Sequence, residues 1–129
     1  MADATSGSRH QEAGMKKIEA IVRWEVIEDV KDALFAAEVR GMTISEVQGV
    51  GNQHGMTEYI RGAEVLVQMR QKCKVEIVCD ESRVDTIVGI ICDAARTQPD
   101  GAVGDGKVFV LPVDEVVRIR TGDRGSKAI

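Results

Sequence analysis

Aromatic side chains are nearly absent: one Trp, one Tyr and two Phe in 129 residues. Single-stranded nucleic acid is held by stacking on rings, so a stacking platform is not expected. Cysteine is also scarce. Cys73, Cys79 and Cys92 are odd in number and lack C-x-x-C spacing, and neither histidine lies near a cysteine in sequence. A disulfide framework or a zinc site is therefore not expected, and the thiols read as small buried hydrophobes in a reducing cytoplasm. Excess positive charge is missing: the net charge is −4 and the pI about 5.2. General DNA binding wants a basic face. No apolar run is long enough to span a bilayer. Residues 1–14 are polar and small with no apolar h-region, so they read as a disordered lead-in or an expression remnant rather than a signal peptide. What remains is 43% hydrophobic and 29% charged. That is ordinary for a soluble single domain whose core rests on Val, Ile, Leu, Met and Ala.

The most informative stretch is Gly104-Asp105-Gly106-Lys107, followed by an apolar run and Arg118-Ile119-Arg120-Thr121-Gly122. Successive N–H groups of a glycine turn form an anion-binding concavity. Lysine adds a point charge, and arginine a planar fork suited to phosphate or carboxylate. On a strand, Arg118 and Arg120 share one face. The chemistry on offer is the binding of a polyphosphate or polycarboxylate, with no nucleophile or base among these residues. Alone, the Gly104–Lys107 turn is a hairpin loop with a solvated lysine; the arginines behind it favour binding. Gly101 to Lys107 nearly spells a Walker A loop, G-x-x-x-x-G-K. That motif needs a Ser or Thr next and a helix facing the phosphates. Here Val108-Phe109-Val110-Leu111-Pro112 follows, strand-like and closed by a helix breaker, which excludes a P-loop NTPase.

Along the chain, Lys16–Arg23 reads as a strand. Ile27–Arg40 reads as a helix with Ile27, Val30, Leu34 and Ala37 on one stripe and Gly41 as its stop. Met42–Val47 alternates like a strand broken by Gly49, Gly51 and Gly55. The span 51–69 is polar, glycine-bearing and long for a loop, a length usually reserved for function or disorder. Lys72–Val78 is an alternating strand. A second helix begins near Asp80-Glu81-Ser82, capped by Asp80 or Ser82, with Val84, Ile87, Val88, Ile91 and Ala95 on its apolar face. After a loop from Arg96 to Gly106, strands follow at Val108–Val113 and Val116–Arg120. The order is that of an α+β, ferredoxin-like βαββαβ fold with a long loop between strands 2 and 3. The strands carry apolar residues on both faces: Ile18, Ala20 and Val22 against Ile21, and Val108, Val110 and Pro112 against Phe109 and Leu111. With helices on one face, a partner subunit is the simplest cover for the other.

One ordered set of motifs goes further: Thr57-Glu58, Arg61-Gly62-Ala63-Glu64, Lys72-x-Lys74-x-Glu76-Ile77-Val78, Ala94-Ala95-Arg96-Thr97, Gly104–Phe109 and Arg118–Gly122. Each is weak alone. Together, from about Met15 to the C-terminus, the chain resembles the PII nitrogen-signalling proteins. The resemblance implies one domain, residues 15–129, assembled as a homotrimer with its sheets lining the centre. Its flexible T-loop would be residues 51–69, and ATP or ADP would bind between subunits. By position, Gly49 and Gly51 would let the backbone approach the nucleotide. Thr97, Gly104, Asp105, Gly106 and Lys107 would hold base and phosphates, and Glu76, Ile77 and Val78 would line base and ribose. Gly41, Met42 and Thr43 of a neighbouring subunit would close the cleft, and its Arg118 and Arg120 would neutralise phosphates. Gln53 corresponds to the glutamine that helps hold Mg²⁺ and 2-oxoglutarate beside ATP, and Lys72 to the lysine that pairs with a 2-oxoglutarate carboxylate. Taken singly, Gln53 and Lys72 read as solvated surface residues.

Departures from the family pattern set further expectations. Val65 stands where members commonly carry a modifiable tyrosine, and Ala63 where some carry a phosphorylated serine, so neither modification is expected. Asn52 and His54 replace a usual arginine and lysine, and Arg23-Trp24-Glu25 replaces Lys-Pro-Phe. The Gln98–Val103 segment lengthens the loop before Gly104 by three residues. The expected function is a cytoplasmic binding module, not an enzyme. It would sense ATP or ADP and 2-oxoglutarate and act through its long loop on an ammonium transporter or a nitrogen-assimilation enzyme. The alternative is a divergent sensor of ADP or AMP, independent of 2-oxoglutarate, serving another transporter or enzyme.

Overall fold

The computed structural model describes residues 14–50, 58–60, 63–65 and 69–129. Its elements run β1 (Met15–Arg23), α1 (Ile27–Ala36), β2 (Thr43–Val50), β3 (Glu58–Ile60), β4 (Ala63–Val65), β5 (Met69–Asp80), α2 (Val84–Ala95) and β6 (Gly106–Val113), with 3₁₀ turns ahead of each helix and at Gly125–Ala128. Four strands form an antiparallel sheet in the order β2-β5-β1-β6. This is the expected ferredoxin-like arrangement, with the two helices on one face. The span read from sequence as loop holds a small hairpin, β3 paired with β4 through Glu58↔Val65, Tyr59↔Glu64 and Ile60↔Ala63. Met69 belongs to β5, which is longer than the Lys72–Val78 alternation indicated.

Alternation decides what is buried. Ile18, Ala20 and Val22 of β1 and Cys73, Val75, Ile77 and Cys79 of β5 point to the helix side. They meet Val30 and Leu34 of α1 and Ile87, Ile91 and Ala95 of α2 in one core. Side chains two apart on a strand share a face, so an unbroken β5 buries Cys73 and Cys79 together. Burial pushes both thiols up from their ordinary pKa, which keeps them protonated and inert.

Three local expectations need correction. First, α1 stops at Ala36 rather than Arg40. Glu38 takes a left-handed φ of 66°. The Val39 amide donates to Leu34 O at 3.0 Å and the Glu38 amide to Phe35 O at 2.9 Å. That is a Schellman ending with Glu38, not Gly41, in the left-handed position. Turning there returns Val39 to the core. Arg40 and Arg83 donate to the carbonyls of Phe35 and Ala37 at this helix end. Second, neither Asp80 nor Ser82 caps α2 with its side chain; the 3₁₀ turn Glu81–Arg83 tightens the helix entry instead. Third, β2 continues through Gly49 to Val50, because Gly49 still pairs with Arg70 of β5.

A fourth correction touches the site. Val116–Arg120 is not a strand. It folds back on the C-terminal residues through a single bridge, Val117↔Arg124. The Arg118 amide donates to Asp123 O, and Gly122 N donates to Arg118 O. An alternating sequence needs a partner edge to become a ladder, and here the segment supplies its own turn.

Candidate anion site at the Gly104–Lys107 loop

The loop joining α2 to β6 is organised from within. Asp105 Oδ2 accepts from the amides of Thr97 (3.0 Å) and Ala102 (2.9 Å), and its Oδ1 accepts from the Thr97 hydroxyl. Arg23 Nε, at the end of β1, lies 3.4 Å from Oδ1, and the same guanidinium donates to Ala95 O at the end of α2. Partial burial works against the Asp105 charge, but the Thr97 hydroxyl, the two amides and the Arg23 guanidinium outweigh it and lower the carboxyl to about 2. Opposite charge and donated hydrogen bonds both favour an ionised carboxylate.

Glycine is required where this loop enters the sheet. Gly106 has φ +114°, and a Cβ there would lie 1.8 Å from Ile21 O. Pairing of Val22 with Gly106 is therefore possible only without a side chain. Behind the loop, on the helix side, a cavity of about 330 Å³ is lined by Val22, Val88, Ile91 and Ala95 together with Asp105 and Gly106. It gives one flank of the loop an apolar surrounding.

Lys72 crosses from β5 to this loop. Its Nζ donates to Gly104 O at 2.6 Å. Its stem covers Gly49, where an added Cβ would sit 3.0 Å from Lys72 Cγ. The structure thus brings together Gly49, Lys72, Thr97, Gly104, Asp105, Gly106 and Lys107. The Lys107 side chain is exposed and makes no ion pair or hydrogen bond among the described residues.

Other predicted site residues stand elsewhere. Thr43 opens β2 and pairs with Glu76, beside Ile77 and Val78, and Gly41 and Met42 precede it. Lys107 sits on β6, the opposite edge of the sheet. Three strand spacings separate those edges, about 14 Å. The Glu76 carboxylate accepts from Lys17 Nζ at 2.6 Å, and Lys17 also reaches Glu19 at 2.9 Å. Lys17 holds the Glu76 carboxyl below its usual range. Arg118 lies 3.8 Å from Asp123 and donates to Ile129 O. Arg120 is exposed in a turn, so the shared-face argument for the two arginines does not hold. Gly51 and Gln53 lie outside the described residues, as do Asn52 and His54.

Sequence reading missed two contributors. In the sequence Arg23 ends a strand and departs from a family pattern, with no sign of a role in this loop, and the carbonyl of Gly104 as a partner for Lys72 leaves no trace in residue identity. Both depend on which strands adjoin.

Known proteins share both the sequence and the fold of this chain. The family model described as nitrogen regulatory protein P-II matches residues 15–123. The nitrogen regulatory protein P-II of Synechocystis sp. is 53% identical over 115 residues, spanning 89% of this chain and 100% of the relative. The nitrogen regulatory protein P-II 2 of Methanothermobacter thermautotrophicus is 50% identical, over 89% of this chain and 97% of its own length. Among solved structures, Arabidopsis thaliana PII bound to citrate superposes with a TM-score of 0.71 at 40% identity, covering 91% of this chain and 94% of that one. With a family match across most of the sequence and the same fold, this chain belongs to the nitrogen regulatory protein P-II family.

Proposed function

We propose that this protein is a cytoplasmic PII-type regulator that binds ATP or ADP at the Gly104–Lys107 loop, senses 2-oxoglutarate through Lys72 and Gln53 with Mg²⁺, and acts on an ammonium transporter or a nitrogen-assimilation enzyme through residues 51–69. The observation that carries this reading is the 2.6 Å bond from Lys72 Nζ to Gly104 O. It joins the lysine expected to meet a dicarboxylate to the loop expected to meet a phosphate. Each of those ligands is an oligo-anion, and the citrate on the Arabidopsis relative is another. Lys107 brings an uncommitted charge to the loop, and Gly104 and Gly106 leave their backbone amides uncovered by side chains of their own. Mg²⁺ would bridge phosphate and keto-acid oxygens while needing few protein ligands.

The assembly we propose is a homotrimer. Gly41–Thr43 and Lys107 lie on opposite sheet edges of one chain, and a second copy would set its own Gly41–Thr43 beside Lys107. β6 leaves Phe109, Val110 and Leu111 substantially exposed, and Ile119 is 99% exposed. The family consists of signalling regulators, and we propose no catalytic role for this member.

A ligand shifts residues 51–69 only as far as its affinity differs between their arrangements. About 5.5 kcal/mol of differential binding moves a population from one in a hundred to ninety-nine in a hundred. Calorimetry with ATP and Mg²⁺, with and without 2-oxoglutarate, tests the reading directly. Binding of ATP strengthened by 2-oxoglutarate is expected, and no binding at millimolar ATP would end it. The longer Gln98–Val103 segment, folded against Asp105, favours a second reading in which ADP or AMP binds and 2-oxoglutarate has no effect. The same titrations separate the two.

A further inference from the structure

The Asp105 carboxylate is committed to its own loop and to Arg23. A carboxylate offers about four lone-pair sites. Here the Thr97 amide, the Ala102 amide, the Thr97 hydroxyl and Arg23 Nε each approach one of its oxygens. Three of those sites accept hydrogen bonds from the loop itself, and the remaining one on Oδ1 faces the Arg23 guanidinium, whose positive charge opposes a metal ion there. The Thr97 hydroxyl is likewise committed to Asp105. Arg23 is held between two backbone ends, with Ala95 O on one side and Asp105 on the other, and its Nε is buried with no hydrogen bond of good geometry. Its charge therefore faces this carboxylate.

These contacts close the longer loop. Gly101 N donates to Thr97 O at 2.6 Å, and Asp105 N donates to Ala102 O at 3.2 Å. The carboxylate ties both ends of that fold to the end of β1. The next residues, Gly106 and Lys107, start β6 under the constraint that Gly106 meets Ile21 O. The residue before, Gly104, offers its carbonyl to Lys72.

We propose that Asp105, Thr97 and Arg23 are positioning residues rather than ligand contacts: they brace the 97–106 loop so that Lys107 and the glycine amides beside it meet the anion. The inference rests on the nucleotide reading above and divides its residues into those that touch ligand and those that hold the loop. Arg23 joins the site in this role, and Thr97 and Asp105 change theirs.

Two measurements on the full chain test the brace. The first needs no ligand: amide hydrogen exchange at Thr97 and Ala102, compared between wild type and Asp105→Ala. Loss of a charge-assisted acceptor is expected to speed exchange at both by about tenfold or more. Unchanged exchange would overturn the brace. The second is a double-mutant cycle read by calorimetric titration with ATP and Mg²⁺. Thr97→Val is expected to weaken binding about fivefold and Asp105→Ala about ten- to a hundredfold. The double variant should be no weaker than Asp105→Ala alone, because Thr97 acts through Asp105. If the two losses multiply, each residue touches ligand independently and the proposal fails. Arg23→Met should weaken binding and Arg23→Lys restore most of it; equal binding by both would remove Arg23 from the brace. Should Asp105→Ala fail to fold, Asp105→Asn, which keeps one accepting oxygen, replaces it in both measurements. If wild type itself binds no ATP, the nucleotide reading falls while the exchange experiment still judges the brace.

Discussion

The two faces of the sheet are made by the same strands, yet only one is finished. On the helix side Ile18, Ala20 and Val22 of β1 and the central part of β5 are buried, and no polar residue is buried among the described residues. On the open side the same strands present Lys17, Glu19, Lys74 and Glu76, with Lys17 paired to both glutamates. The β6 edge and the C-terminal segment leave Phe109, Leu111, Val117 and Ile119 exposed. Two faces with apolar residues were expected from sequence. The structure refines this to a charged centre beside an apolar margin. A face closed within the chain gains stability by excluding water. A face left open offers specificity to another molecule, through charge at its middle and apolar area at its edge.

The sharpest way to break this contrast is in the closed face. Leu34→Ala removes a fully buried side chain and is expected to destabilise by about 2–5 kcal/mol in denaturant unfolding. Next comes the point where the loop enters the sheet. Gly106→Ala places a Cβ against Ile21 O in a left-handed conformation and should cost about 3 kcal/mol, with loss of β1–β6 pairing visible in amide exchange. A stable alanine variant with that pairing intact would mean the β1–β6 register is wrong.

On the open face the expected effects move from folding to association. Phe109→Asp, at a residue 47% exposed, should leave the secondary structure unchanged while reducing the assembled mass in light scattering. An unchanged mass would show that β6 does not carry the interface. Ile119→Ser, at the most exposed apolar side chain among the described residues, should change the stability of the isolated chain by no more than about 0.5 kcal/mol.

The smallest effect is the acid limb of stability. Asp105 has a folded pKa of about 2 against an ordinary 3.8. A depressed carboxyl contributes stability above its unfolded pKa and loses it as pH falls toward the folded value. Melting temperature should therefore drop between about pH 4 and pH 2, and Asp105→Asn should flatten that limb. Parallel curves for the two proteins would show that the Asp105 charge adds nothing to the fold.

Periodicity carried much of this protein. Alternation at Ile18, Ala20 and Val22 and again at Val75 and Ile77, with helical spacing at Val30 and Leu34 and at Ile87 and Ile91, was enough to place the strands, the helices and the buried face. Hydrophobic pattern is a local property, and a strand or helix stripe declares itself within a few residues. The motif set identified the family for the same reason, since residue order survives without coordinates. The end of α1 was not legible, because Val39 returns to a core that exists only once the sheet is built. Nor was the fate of Val116–Arg120, which alternates like a strand but lacks an edge to join.

Residue types alone marked Gly104–Lys107 as anion-binding chemistry and Lys72 as a cation. They did not say that Lys72 would end on Gly104, that Asp105 would spend its lone pairs on its own loop, or that Arg23 would face it across 82 positions of chain. Those pairings are set by strand order, which brings the ends of β1, β5 and α2 to one place. Contacts between segments far apart in sequence are decided by how the whole sheet closes, and a single sequence carries no local signal of them.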